Sequence, residues 1–160
     1  MARRLTHLDA RGRIRMVPVD RKRVTKRTAV ARGKVFMRAS TLRLVQRQAL
    51  HKGDALAAAH LAAVQAAKRT WEIVPLAHPI ALEGIDVTFD WQERPAAIVI
   101  EVRTTARART GVEMEALTAV SAAALALYDM CKASDRGMVL GEIALWEKRG
   151  GRSGVYRRRA

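Results

Sequence analysis

The chain has 160 residues, is 49% hydrophobic, and carries thirty Lys/Arg against fifteen Asp/Glu, for a formal net charge of +15. That length and composition suit one folded domain, residues 1–160, with a real core, and exclude a disordered chain. One cysteine excludes a disulfide framework and a cysteine-rich zinc site, and seven aromatics are too few to favour a stacking platform for nucleic acid.

The N-terminal segment is strongly basic: residues 1–34 hold twelve Lys/Arg against Asp9 and Asp20. No long apolar run follows Met1-Ala2-Arg3-Arg4, so neither a signal peptide nor a membrane helix is expected, and the expected address is cytoplasmic. Gly12-Arg13-Ile14-Arg15-Met16-Val17 alternates basic and apolar residues and predicts an exposed edge strand or an extended arm. A strand is expected over Val30–Met37, weakened by Gly33. Ser40 is placed to cap a short helix, Thr41–Ala49, and Asp54 to cap a second, Ala55–Arg69, which is rich in alanine. Pro75 and Pro79 then bracket a constrained turn.

Two alternating strands follow, Ile85–Trp91 and Ala97–Val102, joined through Glu93-Arg94-Pro95. A long helix is expected from about Gly111 to Lys132, and a last strand over Met138–Trp146, broken by Gly141. Residues 147–160 hold six Lys/Arg against Glu147, leaving twelve charges of each sign in the body of the chain. The basic ends, about 1–15 and 150–160, have the composition of flexible segments. They can bind nucleic acid non-specifically or converge on a polyanionic small molecule. This element order predicts an α+β fold with an antiparallel sheet and helices on one face.

The long helix carries the clearest chemical signal. Thirteen uncharged residues separate Glu115 from Asp129, so most of its circumference should be buried between charged ends. Either these carboxylates are the solvated ends of a core helix, or they do work. Fourteen residues of helix place them within ~40° of one face but ~21 Å apart. One straight helix cannot bring both into a single pocket. Two copies crossing antiparallel about a two-fold axis can set Glu115 of one near Asp129 and Lys132 of the other, which predicts a site shared between subunits. Elsewhere, Lys52 before Gly53 at a helix start is either a phosphate contact or a solvated lysine. His78, held between prolines, either handles protons or is an ordinary turn histidine.

In order, His51-Lys52-Gly53-Asp54, Gln65-Ala66-Ala67-Lys68-Arg69-Thr70-Trp71, Pro75-Leu76-Ala77-His78-Pro79, Thr110-Gly111-Val112-Glu113-Met114-Glu115-Ala116-Leu117-Thr118 and Tyr128-Asp129-Met130-Cys131-Lys132-Ala133 form a pattern that closely resembles the cyclic pyranopterin monophosphate synthase family of molybdenum cofactor biosynthesis. The resemblance spans Leu5-Thr6-His7-Leu8-Asp9 to Gly150-Gly151-Arg152-Ser153-Gly154. It implies a ferredoxin-like α+β fold, a homohexamer built as three dimers, and a site at the dimer interface. It further implies a lyase that converts 3′,8-cyclo-7,8-dihydroguanosine 5′-triphosphate, a nucleotide-derived small molecule, to a pyranopterin cyclic phosphate and pyrophosphate.

By the same resemblance Asp129 is the catalytic carboxylate, Lys132 its acid/base partner and Lys52 an active-site lysine. Leu76, Ala77, His78, Met114 and Glu115 match substrate-binding segments, with Glu115 suited to a guanidine-like edge. Lys52, Arg152 and Arg27 are expected to neutralise the triphosphate. No dedicated metal site or required cofactor is implied, although Mg²⁺ can accompany the phosphates. Nucleic acid and membrane are not expected partners. Two positions depart from the family pattern: Ala77 stands for a usual cysteine and Arg152 for a usual lysine. Those departures motivate an alternative, a catalytically impaired relative that binds a pterin-like or nucleotide ligand.

Overall fold

The computed structural model describes residues 11–159, so Leu5-Thr6-His7-Leu8-Asp9 and the first part of the basic N-terminal end lie outside the described residues. The elements are β1 (Thr25–Phe36), α1 (Ala39–Gln46), α2 (Ala55–Lys68), α3 (Thr70–Ile73), β2 (Gly84–Glu93), β3 (Ala96–Ala108), α4 (Glu113–Cys131), β4 (Val139–Arg149) and β5 (Tyr156–Arg157). The strands form one open sheet in the order β2-β3-β1-β4-β5. Every neighbouring pair is antiparallel. This is the expected α+β architecture, in keeping with a ferredoxin-like arrangement.

Alternation sets the faces of the sheet. Ala29, Ala31 and Val35 of β1 and Ile98, Ile100, Val102 and Ala106 of β3 are fully buried beneath α4. α4 lies across β1, β3 and β4, and α2 packs along α4. The α2 contact uses Ala55, Ala59, Ala63 and Ala67, one alanine per turn, so the two helix backbones approach closely. By length and composition alone α4 would qualify as a membrane-crossing helix. Its burial of Ala116, Ala119, Val120, Ala123, Ala124 and Leu127 against sheet and α2 is that of a core helix.

Four local expectations are corrected. Gly33 does not end β1, which begins at Thr25 and continues through it, although the pairing with β4 shifts register between Arg32 and Lys34. A Cβ at Gly33 would lie 2.7 Å from Val120 Cγ1 and 2.9 Å from Ile143 Cγ1, so the missing side chain is what lets α4 close onto the sheet. Gly141 likewise does not end β4, which runs on to Arg149, but the ladder with β1 is irregular between Gly141 and Ala144, where Glu142 has a φ of 53°. Residues 12–17 form no strand beyond an isolated bridge at Ile14. The apolar residues of that arm are left exposed, Ile14 by 75% and Met16 by 48%, whereas Val17 and Val19 are half-buried. Ser40 does not cap α1: the N-cap is Arg38, and the buried carboxylate of Asp135 accepts the Arg38 amide instead. The Asp54 cap is as expected, its Oδ1 accepting from the amides of Leu56 and Ala57 at 3.0 Å each.

Candidate active site

α4 carries chemistry at both ends, and the two ends are built differently. At its C-terminus Asp129 stands on the last turn with Lys132 one turn beyond. Asp129 Oδ1 lies 2.6 Å from Lys132 Nζ. Lys52, from the loop between α1 and α2, brings its Nζ 2.9 Å from Asp129 Oδ2 and donates also to the Asp129 carbonyl at 2.9 Å. The Asp54 cap fixes the start of α2 two residues after Lys52. The hydrogen bonds from Lys132 and then Lys52 hold the Asp129 carboxyl down at about 2, although it is exposed to solvent. Asp129 is thus a poor base and a strong anchor for two ammonium groups. Neighbouring Cys131 is buried, and burial pushes its thiol up to about 11, so it offers no thiolate at neutral pH.

At the N-terminus of α4 a cavity of about 380 Å³ is lined by Leu76, Ala77 and His78 from the proline-bracketed turn and by Met114 and Glu115 from the first helical turn. Val17, Val19 and Lys22 of the N-terminal arm form another wall. Glu115 is only 3% exposed. Burial outweighs hydrogen bonding to the backbone and raises its carboxyl to about 7. Among the described residues no cation lies within ion-pair distance of it, whereas Asp129 has two.

A second cavity, about 720 Å³, adjoins the first and shares Lys22, Thr110, Gly111 and Glu113 with it. Arg21, Arg23, Arg27, Arg109, Lys148 and Arg152 line the remainder, so positive charge converges here from four separate segments. The Gly150-Gly151 pair makes one of these approaches possible. Both residues have positive φ, and a Cβ on Gly151 would collide with the Arg27 guanidinium. Arg27 also donates to the carbonyls of Ala108 at 3.3 Å and Arg109 at 3.4 Å, which aims it at the cavity.

The expected residues therefore gather into two groups within one chain. Leu76, Ala77, His78, Met114 and Glu115 share one cavity, with Arg27 and Arg152 in the next. Asp129, Lys132 and Lys52 sit together at the opposite end of α4. Lys52 shares no cavity with Arg27 and Arg152 in the single chain. Sequence reasoning missed Lys22, Arg109 and Lys148 as individuals. Lys22 and Lys148 carried only the general basicity of the end segments, and Arg109, in the charge-balanced body, carried no signal at all, because the fold, not local spacing, assembles them. Among the described residues no group of three or more His, Cys, Asp or Glu side chains is placed to hold a metal ion.

The model of the MoaC family matches residues 16–151, which takes in both ends of α4, the whole first cavity and all of the second except Arg152 and Ser153. The chain is 56% identical over 156 residues to cyclic pyranopterin monophosphate synthase 1 of Mycobacterium bovis, covering 98% of this chain and 91% of that protein. It is 53% identical over 152 residues to the cyclic pyranopterin monophosphate synthase of Heliobacterium modesticaldum, covering 95% and 96%. Against that of Pelotomaculum thermopropionicum the figure is 52% over 155 residues, covering 97% and 91%. The chain belongs to the MoaC family, the family of these cyclic pyranopterin monophosphate synthases.

Proposed function

We propose that this protein is a cyclic pyranopterin monophosphate synthase of molybdenum cofactor biosynthesis, a lyase that converts 3′,8-cyclo-7,8-dihydroguanosine 5′-triphosphate to cyclic pyranopterin monophosphate and pyrophosphate in the cytoplasm. The observation that carries the reading is the pair of adjoining cavities. One ends on a buried carboxylate that can accept paired N–H donors from a guanidine-like edge, and the other is an arginine and lysine cradle of the size and sign that a triphosphate needs. Lys22 stands at their junction. Among the described residues Glu113 is the single carboxylate lining the cationic cavity, a poor donor set for a resident Mg²⁺. In this reading any Mg²⁺ arrives on the phosphates.

Asp129, Lys132 and Lys52 are the reacting group in this reading. Asp129, held near 2, stays ionised and orients both lysines, while Lys132 and Lys52 give and take the protons that ring opening and reclosure demand. Arg152 keeps the phosphate contact of the lysine it replaces but moves no proton near neutral pH. Ala77 leaves its cavity wall without a thiol.

The two ends of α4 are ~21 Å apart, so a complete site takes Glu115 and its cavity from one protomer and the Asp129 cluster from another. A stripe of α4 left open in the single chain runs from Met114 through Thr118, Ser121 and Leu125 to Asp129, with Leu125 63% exposed. Two such stripes crossing about a two-fold axis bury apolar surface and bring opposite ends together, and three such dimers make the hexamer. Ala124, fully buried in its own chain, belongs to the core and not to this contact.

The deciding experiment incubates the protein with purified cyclic dihydro-GTP and follows pyrophosphate release, then oxidises the product to a fluorescent pterin. Release with pterin formation is expected. Tight binding without release would favour the catalytically impaired relative, which the 56% identity to a synthase disfavours.

A further inference from the structure

Asp135 is a buried carboxylate, 5% exposed, that the reaction just described does not use. Its Oδ2 accepts from the Arg38 amide at 2.8 Å and from Thr41 Oγ1 at 3.3 Å. Its Oδ1 accepts from the Gly137 amide at 3.1 Å and lies 3.4 Å from Arg38 Nε. The Arg38 amide foremost holds its carboxyl below the usual range despite burial. The amides of Ser134 and Asp135 both donate to the Cys131 carbonyl, at 2.8 and 3.0 Å, folding the Lys132–Asp135 turn back on the end of α4. The Arg38 guanidinium donates to the Ser134 carbonyl, and Tyr128 Oη donates to the Arg136 carbonyl at 3.2 Å. This one side chain therefore fastens the turn bearing Lys132 to the start of α1, and α1 leads into the loop bearing Lys52.

The other end of α4 has its own buried tie. Thr104 of β3, with no exposure, donates its Oγ1 proton to the Val112 carbonyl at 2.9 Å. Val112 is the residue from which α4 starts, immediately before the Glu113-Met114-Glu115 turn.

We propose that Asp135 is a positioning residue for the Lys52–Asp129–Lys132 group, and that Thr104 positions the ligand end of α4 independently. The proposal rests on the reading of those groups as the reacting and ligand-binding halves of the site. Both residues act through others, since neither lines a cavity with Glu115 or pairs with Asp129. Reacting groups displaced by an ångström lose rate steeply, whereas a loosened ligand wall chiefly weakens binding.

The test compares Asp135→Asn, Thr41→Val and Thr104→Val with wild type and with Asp129→Asn, by steady-state kinetics, thermal unfolding and carbon-13 titration of the Asp129 carboxyl. Asp135→Asn keeps the shape but sets an NH₂ group against one of its donors. It should lower kcat about tenfold or more and leave KM within about twofold. Thr41→Val, which removes one hydrogen bond and little volume, should act in the same direction and less. Thr104→Val should raise KM at least about threefold and leave kcat within about twofold. In folded Asp135→Asn the Asp129 midpoint should climb from about 2 toward the ordinary carboxylate value, and in Thr104→Val it should stay. An unmoved midpoint in Asp135→Asn, or losses in both variants that merely track thermal stability, would overturn the proposal. If Asp129→Asn itself turned over normally, the assignment of the reacting group would fall instead, while the titration would still judge the clamp.

Discussion

Two carboxylates on one helix have opposite characters. Glu115 is buried beside a cavity of mixed polar and apolar lining and titrates near 7, whereas Asp129 is exposed, lies between two lysines and titrates near 2. Both belong to residue types with ordinary values near 4, so the environment makes the entire difference. Desolvation dominates at one end of α4 and hydrogen-bonded cations at the other. The first arrangement suits a group that gains from meeting a ligand's N–H donors, because those donors offset the cost of burying its charge. The second suits a fixed charge that organises neighbours and does not itself change protonation.

The largest effect should come from breaking the exposed cluster. Lys132→Ala is expected to lower kcat roughly 10³-fold with the oligomer intact, because an exposed helix-end substitution opens no core cavity. Loss of assembly on sizing would mean that the pair is structural. Mixing sharpens the contrast between the ends. Lys132→Ala and Glu115→Ala, each inactive alone, should regain activity when co-refolded, since mixed dimers contain one site with both native halves. No regain from verified hetero-oligomers would end the shared-site reading.

Glu115 makes the next prediction. Its native value near 7 lies above the usual 4.5, so the folded chain binds the extra proton and stability falls as pH rises from about 4.5 to 7. Glu115→Gln should erase that slope and gain ~3 kcal/mol on wild type between pH 4 and pH 8, read by denaturant unfolding. Equal slopes would place Glu115 in water. Asp129 adds no such slope in this window, because its depressed value costs stability only as pH falls through about 4 to 2.

Smaller effects test what lies between the ends. Gly33→Ala should destabilise by ~1–3 kcal/mol through overpacking against Val120, and should lower expression or melting temperature without separating kcat from KM. Arg152→Lys, in a cradle with many other cations, should change KM by less than about threefold. A large rise in kcat would assign proton transfer to that position.

Much of this was legible before any coordinates. Asp54 is followed by fourteen helix-forming residues and caps α2 as local chemistry requires. The alternation in β2 and β3 fixed a hairpin, and the uncharged run fixed a core helix. Gly33 and Ser40 were misread for one reason. A glycine in a strand and a serine before a helix have local meanings, but a close helix approach and a buried carboxylate ninety-five residues away overrode them.

From its residues alone, the chain settled its main helices and strands, its sheet-and-helix class, its family, and the presence of opposed carboxylates at the ends of one apolar helix. Those properties follow from periodicity and neighbouring side chains, which are short-range. Only the tertiary structure decided that Lys52 reaches Asp129, that Arg27, Arg109, Lys148 and Arg152 converge on one cavity, and that one carboxylate is desolvated while the other is clamped. Charge and burial act through space, and distance in space is set by how the sheet and α4 pack.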